Sequence, residues 1–158
     1  MAEVRDGADA QPDPLPQPPP EQPARPARAT GGARLLVAVY ALFAVAATSR
    51  AAVQIATKLD EAPLAYLLSA LAAAVYVVAT FAIARRSPRS HRVALAAVTF
   101  ELLGVLTVGT LSLVDAAAFP DQTVWSDYGR GYLFVPLVLP VAGLWWLLRH
   151  PVPDRDTP

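Results

Sequence analysis

Four long apolar runs constrain the fold of this 158-residue chain more than any other feature. At about 1.5 Å of rise per helical residue, the first three can cross a hydrocarbon core of roughly 30 Å, and the fourth is slightly short. Short connections between the first three runs favour antiparallel neighbours. The sequence therefore predicts an all-α fold, a transmembrane four-helix up-down bundle. Its domain is residues 34–149, with spans at about 35–57, 64–84, 93–113 and 132–148.

The composition argues against several classes of protein. Charged residues make up 16% of the chain, against about 25% in a typical soluble domain. The formal net charge is zero, so we expect the lipid bilayer rather than nucleic acid as a partner. There is no cysteine, and His91 and His150 each lie beside an arginine. We expect no metal site, no cofactor and no catalytic residues. A non-enzymatic protein is favoured over a membrane enzyme that acts on lipid at the outer loop.

The arginines predict the orientation in the membrane. Four of them lie within residues 85–92, between the second and third spans, and others flank the first and last spans. The other two connections carry more acidic than basic residues. Because basic residues accumulate in cytoplasmic segments, both termini are predicted to be cytoplasmic in a multi-pass protein of the plasma membrane.

The two ends of the chain are predicted to lie outside the bundle. Residues 1–33 contain eight of the 16 prolines and little apolar periodicity, which is typical of a disordered tail. This Pro-rich tail is predicted to be cytoplasmic, as is a short second tail at residues 150–158. The motif at 16–20 either binds a partner domain in an extended conformation or is simply solvated.

The first span carries a polar stripe. Arg50 and Gln54 are four residues apart, so they share one helical face. An arginine at membrane depth costs about 3 kcal/mol on insertion scales, and it either reaches the headgroups or faces protein.

The third span carries Glu101 near its midpoint, with Thr107 predicted as a supporting polar residue on the same face. No headgroup is within reach of Glu101. We predict an intramembrane polar pair between Arg50 and Glu101, direct or through water, because Arg50 is the available cation. The pair either sets the register of the bundle or provides a proton or cation site.

The loop at 114–131 is long for so small a bundle, and long loops often have functions. Trp125 is predicted to anchor at the outer interface, and Arg130 to contact a headgroup, a partner protein or Asp127. Tyr128 is a further candidate contact. The alternative is that the loop only caps the bundle.

Three segments carry a resemblance, namely residues 49–54, 100–105 and 123–126. They resemble segments of small, alanine-rich, four-span integral membrane proteins of actinobacterial type. The resemblance covers roughly residues 35–149. It implies the four-span fold, and it implies no activity and no site residues.

Two functions are consistent with these patterns. The first is a non-enzymatic accessory or scaffold subunit of a membrane assembly, which packs against a membrane protein partner or forms a homo-oligomer. The alternative is a small oligomeric transporter or channel, coupled to protons or cations through Glu101.

Overall fold

The computed structural model describes residues 31–152 and contains helices and loops without strands over that range. The all-α prediction is therefore confirmed. Of the tail predicted at residues 1–33, residues 1–30 lie outside the described residues. Residues 31–33 belong to the first helix. The predicted tail at 150–158 lies outside them from position 153 onward.

Over residues 31–152, four α-helices pack in sequence order, α1 on α2, α2 on α3 and α3 on α4. Because each connection reverses the chain, the arrangement is the predicted up-down bundle. Two short 3₁₀ segments lie in the loop between α3 and α4, at Ala116–Ala118 and Ser126–Tyr132. The helices are α1 (Gly31–Lys58), α2 (Pro63–Ala84), α3 (Pro88–Val114) and α4 (Val135–Arg149).

Prolines and a serine set the helix boundaries. Pro63 and Pro88 begin α2 and α3, where the missing N–H of proline costs no helical hydrogen bond. Ser87 caps α3 by accepting a hydrogen bond from the backbone N–H of Ser90 at 3.1 Å. Only residues 85–87 separate α2 from α3, so the four arginines of residues 85–92 are held at one end of the bundle, which we call the arginine-rich end.

Small residues allow α1 and α2 to pack closely. Ala44 and Ala47 of α1 belong to the same buried core as Ala72 and Ala79 of α2. Since alanine lets two helix backbones approach, the attraction between these helices comes mainly from van der Waals contact. The opposite helix faces are apolar and exposed, as expected for surfaces in contact with lipid; Leu35, Leu42, Val53, Leu67, Phe81, Leu103 and Leu113 are examples.

Within the described part of the chain, three helices, α1 to α3, are long and apolar enough to cross a membrane, or four if α4 forms one span with the preceding 3₁₀ segment. Residues 132–134 are not part of α4, although the fourth span was predicted to begin at 132. The 15-residue α4 is about 22 Å long, which is shorter than a hydrocarbon core of roughly 30 Å.

A bend of 100° separates the second 3₁₀ segment from α4. Leu133 and Phe134 at the break both have positive φ, at 55° and 58°. Pro136 lies just after this bend, and Pro140 lies inside α4. Pro136 therefore helps to begin α4 after the sharp bend, because it lies in the first helical turn of α4.

Candidate functional site

A buried carboxyl group lies at the centre of the bundle. Glu101 of α3 has no solvent exposure, and it shares its face with the equally buried Val98 and Val105. The Tyr40 hydroxyl of α1 donates a hydrogen bond to Glu101 Oε2 at 2.8 Å. This bond joins two helices that are separated by 61 positions in the chain.

Two further polar side chains lie beside this carboxyl group. The Tyr76 ring of α2 lies 6.2 Å from the Tyr40 ring, and its hydroxyl interacts electrostatically with Glu101 and the Trp125 indole. Within the described residues, three of the buried polar atoms have no hydrogen bond of standard geometry: Tyr76 Oη, Glu101 Oε1 and Trp125 Nε1. We call Tyr40, Tyr76, Glu101 and Trp125 the buried polar cluster.

The buried polar cluster combines three side chains that can donate a hydrogen bond with one carboxyl group that can accept them. Two phenols and one indole each offer one N–H or O–H, and a carboxylate offers only acceptor oxygens. Such a group can hold the carboxyl group either ionised or protonated. Over the described range, no group of three or more His, Asp or Glu residues is placed to hold a metal ion.

The predicted direct pair between Arg50 and Glu101 is wrong. Among residues 31–152, these two side chains form no ion pair within 4.0 Å. Glu101 is level with Tyr40, which precedes Arg50 by ten residues, or about 15 Å along α1. The two side chains therefore lie at depths too different for direct contact.

Arg50 instead binds groups at the other end of the bundle, which we call the loop end. Its Nη1 donates to Tyr132 Oη and its Nη2 to the Gln122 backbone oxygen, both at 3.0 Å. The predicted stripe is present, since Arg50 Nε donates to Gln54 Oε1 at 3.4 Å. Gln54 in turn donates to Asp121 Oδ2 at 3.4 Å. The hydrogen bonds of Arg50 therefore connect α1 to the long loop.

A tyrosine of α2 joins this loop-end network. Tyr66 Oη donates to Asp121 Oδ2 at 2.9 Å. Asp121 thus accepts hydrogen bonds from both α1 and α2, and it connects the first two helices to the loop. Sequence analysis did not identify Tyr66 or Asp121 as a pair, because their separation of 55 positions leaves no local signal.

Trp125 is not the interfacial anchor that the sequence predicted. Only 1% of this residue is exposed, and its ring lies against Gly104 of α3. A compact turn aims it inward: the backbone N–H groups of Trp125 and Ser126 both donate to Thr123 Oγ1, at 3.0 and 2.9 Å. With its polar backbone groups satisfied by this turn, the indole can enter the bundle.

The other loop residues predicted as contacts have separate positions. The Tyr128 ring packs on Gly109, and its hydroxyl lies 2.9 Å from Thr110 Oγ1. The Asp127 backbone N–H donates to Ser112 Oγ at 2.9 Å. Arg130 is exposed, and it forms no ion pair with Asp127 in the part of the chain that the structure describes.

Thr107 does not support Glu101 as predicted. Its side chain is exposed, while Val105 and Val108 occupy the face of α3 that contains Glu101. At 100° per residue, a position six residues away lies on a different face, whereas positions four and seven residues away return to the same one.

Tyr40 and Tyr76 are members of the buried polar cluster that sequence analysis missed. Each lies at helical spacing among the small buried residues of its helix, Tyr40 four positions before Ala44 and Tyr76 three before Ala79. Buried tyrosine hydroxyls usually find a hydrogen-bond partner. Tyrosines on the packed faces of apolar helices were therefore a usable signal for the surroundings of Glu101.

No family model, no curated protein and no solved structure matches the chain. The candidate functions therefore rest on the geometry of the buried polar cluster and of the loop-end network.

Proposed function

We propose that the chain is a multi-pass protein of the plasma membrane, with both termini in the cytoplasm, that acts as a non-enzymatic accessory or scaffold subunit. The observation that carries this proposal is the enclosure of Glu101, which has no exposed surface and is held by Tyr40 of another helix. A carboxyl group in such a position sets the register of packed helices. Its role is then structural, and a partner is bound by the outer faces of the bundle.

Two polar groups support a rigid bundle in this proposal. Glu101 joins α3 to α1 inside the core, and Arg50 joins α1 to the long loop at the loop end. Because the two connections lie about 15 Å apart along α1, they hold that helix at two depths. A subunit that presents a fixed surface to a partner needs such rigidity.

The test compares stability and ion flux in the same variants. Glu101→Gln and Arg50→Leu are each expected to lower the free energy of unfolding in detergent by about 1–2 kcal/mol. Glu101→Gln replaces a carboxyl acceptor by a weaker amide acceptor for the Tyr40 hydroxyl, and Arg50→Leu removes the hydrogen bonds from α1 to the long loop. Proteoliposomes containing the parent protein are expected to pass protons and monovalent cations no faster than protein-free liposomes. Arg130→Gln, at an exposed loop position, is the matched control and is expected to retain parental stability.

A second candidate function is a small oligomeric transporter or channel coupled to protons or cations. The observation that favours it is the set of polar atoms without hydrogen-bond partners around Glu101. In this case the parent protein gives flux that depends on pH, and Glu101→Gln removes it while the bundle stays folded. Such a result would replace the scaffold proposal.

A further inference from the structure

A cavity of about 280 Å³ opens at the arginine-rich end of the bundle. Its apolar wall includes Ile83 of α2 and Leu147 of α4, which are 6% and 2% exposed, together with the Trp146 ring. A water molecule occupies about 30 Å³ in the liquid, so the cavity has room for a much larger group. We call it the arginine-end pocket.

Basic side chains form the rim of the arginine-end pocket. Arg85 and Arg86 follow the end of α2, His91 lies in the first turns of α3, and His150 follows the end of α4. The described lining contains no Asp or Glu. The pocket therefore combines an apolar floor with a cationic mouth.

The helix dipoles do not cancel this cationic character. α2 and α4 end near the pocket, and their terminal carbonyl groups carry partial negative charge. α1 and α3 begin at the same end of the bundle, and their terminal N–H groups carry partial positive charge. A helix end carries only about half an elementary charge, so the full charges of the rim arginines determine the sign of the field at the pocket.

An aromatic stack forms one wall of the pocket. The Trp146 and His150 rings lie 4.8 Å apart at an angle of 18°, and His150 Nδ1 lies 2.9 Å from the Trp146 backbone oxygen. Tryptophan prefers the depth of the lipid headgroups. Neighbouring Arg149 is held over the Trp145 ring, 4.5 Å from its centre, and does not line the pocket.

We propose that the arginine-end pocket binds the headgroup of an anionic phospholipid, with the phosphate at the Arg85 and His91 rim and the glycerol and first methylene groups against Ile83 and Leu147. Three features carry the assignment: the charge of the rim, the apolar floor, and the position at the end of membrane-crossing helices. Basic pockets between helices at a membrane surface bind such headgroups, through charge-assisted hydrogen bonds to phosphate oxygens.

The test measures binding of single lipid molecules to the full chain. The protein in an uncharged detergent is titrated with phosphatidylglycerol or with phosphatidylcholine of the same acyl chains, and native mass spectrometry gives the Kd of the first bound lipid. We expect phosphatidylglycerol to bind the parent at least fivefold more tightly. Arg85→Gln is expected to raise the Kd for phosphatidylglycerol about fivefold, because one arginine near the surface contributes about 1 kcal/mol. His91→Gln is expected to raise this Kd by a smaller factor.

Arg92→Gln is the matched control, since it removes an arginine from the same basic segment without altering the described lining of the pocket. It is expected to change the Kd for phosphatidylglycerol by less than twofold. Far-UV circular dichroism and elution volume check that each variant is folded. His91→Gln keeps the test decisive if Arg85→Gln fails to fold.

Several results would overturn the proposal. Equal Kd values for the two lipids would remove the headgroup preference, and equal losses in Arg85→Gln and Arg92→Gln would assign it to general surface charge. Competition by millimolar inorganic phosphate or glycerol phosphate would identify a site for free anions. A preference for phosphatidylglycerol that appears only in the double variant Asp154→Asn, Asp156→Asn would identify the acidic end of the chain as the occupant of the arginine-end pocket in the parent protein.

Discussion

Glu101 is a fully buried carboxyl group, and it accepts a hydrogen bond from the Tyr40 hydroxyl. An ionisable group inside a membrane bundle is costly without a partner. The neighbouring Tyr76 hydroxyl lies in the same cluster without a hydrogen bond of standard geometry. The two tyrosines are equally buried, and they differ in whether the hydroxyl forms a hydrogen bond of standard geometry.

We predict that Tyr40→Phe lowers the free energy of unfolding by about 1–2 kcal/mol, since it removes the donor to Glu101. Tyr76→Phe is the matched control and is expected to lower it by less than Tyr40→Phe does, because the Tyr76 hydroxyl has no hydrogen bond of standard geometry. Thermal unfolding in detergent, followed by circular dichroism, measures both values. In a Glu101→Leu background, the cost of Tyr40→Phe should disappear, as a double-mutant cycle would show. Equal costs for the two single variants would contradict the assigned bond.

The long loop is an element of the core rather than a surface connection. Trp125 enters the bundle beside Gly104, and a Cβ added at that glycine would lie 2.7 Å from the Trp125 ring. The ring of Tyr128 packs in the same way on Gly109. Two glycines of α3 thus leave space for two aromatic side chains of the loop, and glycine is needed here for close approach rather than for backbone conformation.

Gly104→Ala should therefore displace the indole. We expect it to lower the free energy of unfolding by about 1–3 kcal/mol, because overpacking outweighs the gain in helix propensity of about 1 kcal/mol. Tryptophan fluorescence should shift to longer wavelength as Trp125 becomes more exposed. Gly131→Ala is the control: its added Cβ would meet only Gln122 Oε1 at 3.6 Å, an ordinary contact. If Gly104→Ala leaves both stability and fluorescence unchanged, the packing described for Trp125 is wrong.

The whole molecule has two chemically different ends. The four arginines of residues 85–92 lie at one end with the end of α4, and the acidic loop lies at the other. The number of crossings depends on α4, which reaches a membrane span only together with the bent 3₁₀ segment. Orientation and crossing number can be tested together, because the chain has no cysteine to give background labelling.

We predict that a maleimide unable to cross the membrane labels Ala117→Cys in intact cells and does not label Pro151→Cys. Ala117 is an exposed residue of the loop, and Pro151 is an exposed residue after α4. Permeabilised cells, in which both variants should react, provide the control. Labelling of both variants in intact cells would mean that α4 does not cross the membrane. The reverse pattern would invert the orientation.

Much of this architecture was predictable from local composition. The three longer apolar runs became α1 to α3, and the basic segment after α2 became a tight capped turn, because crossing lipid and beginning a helix depend on neighbouring residues. The polar stripe of Arg50 and Gln54 was also predictable, since its spacing within one helix is constant.

The partners of the buried polar groups were not predictable from local composition. Glu101 meets Tyr40 and not Arg50, and Trp125 lies inside the bundle and not at its edge. These outcomes depend on the relative depth and rotation of the helices and on the path of the long loop. Loops of more than about 15 residues often adopt a structure of their own. Hydropathy is a property of each segment, whereas contact between segments arises only when all of them pack together.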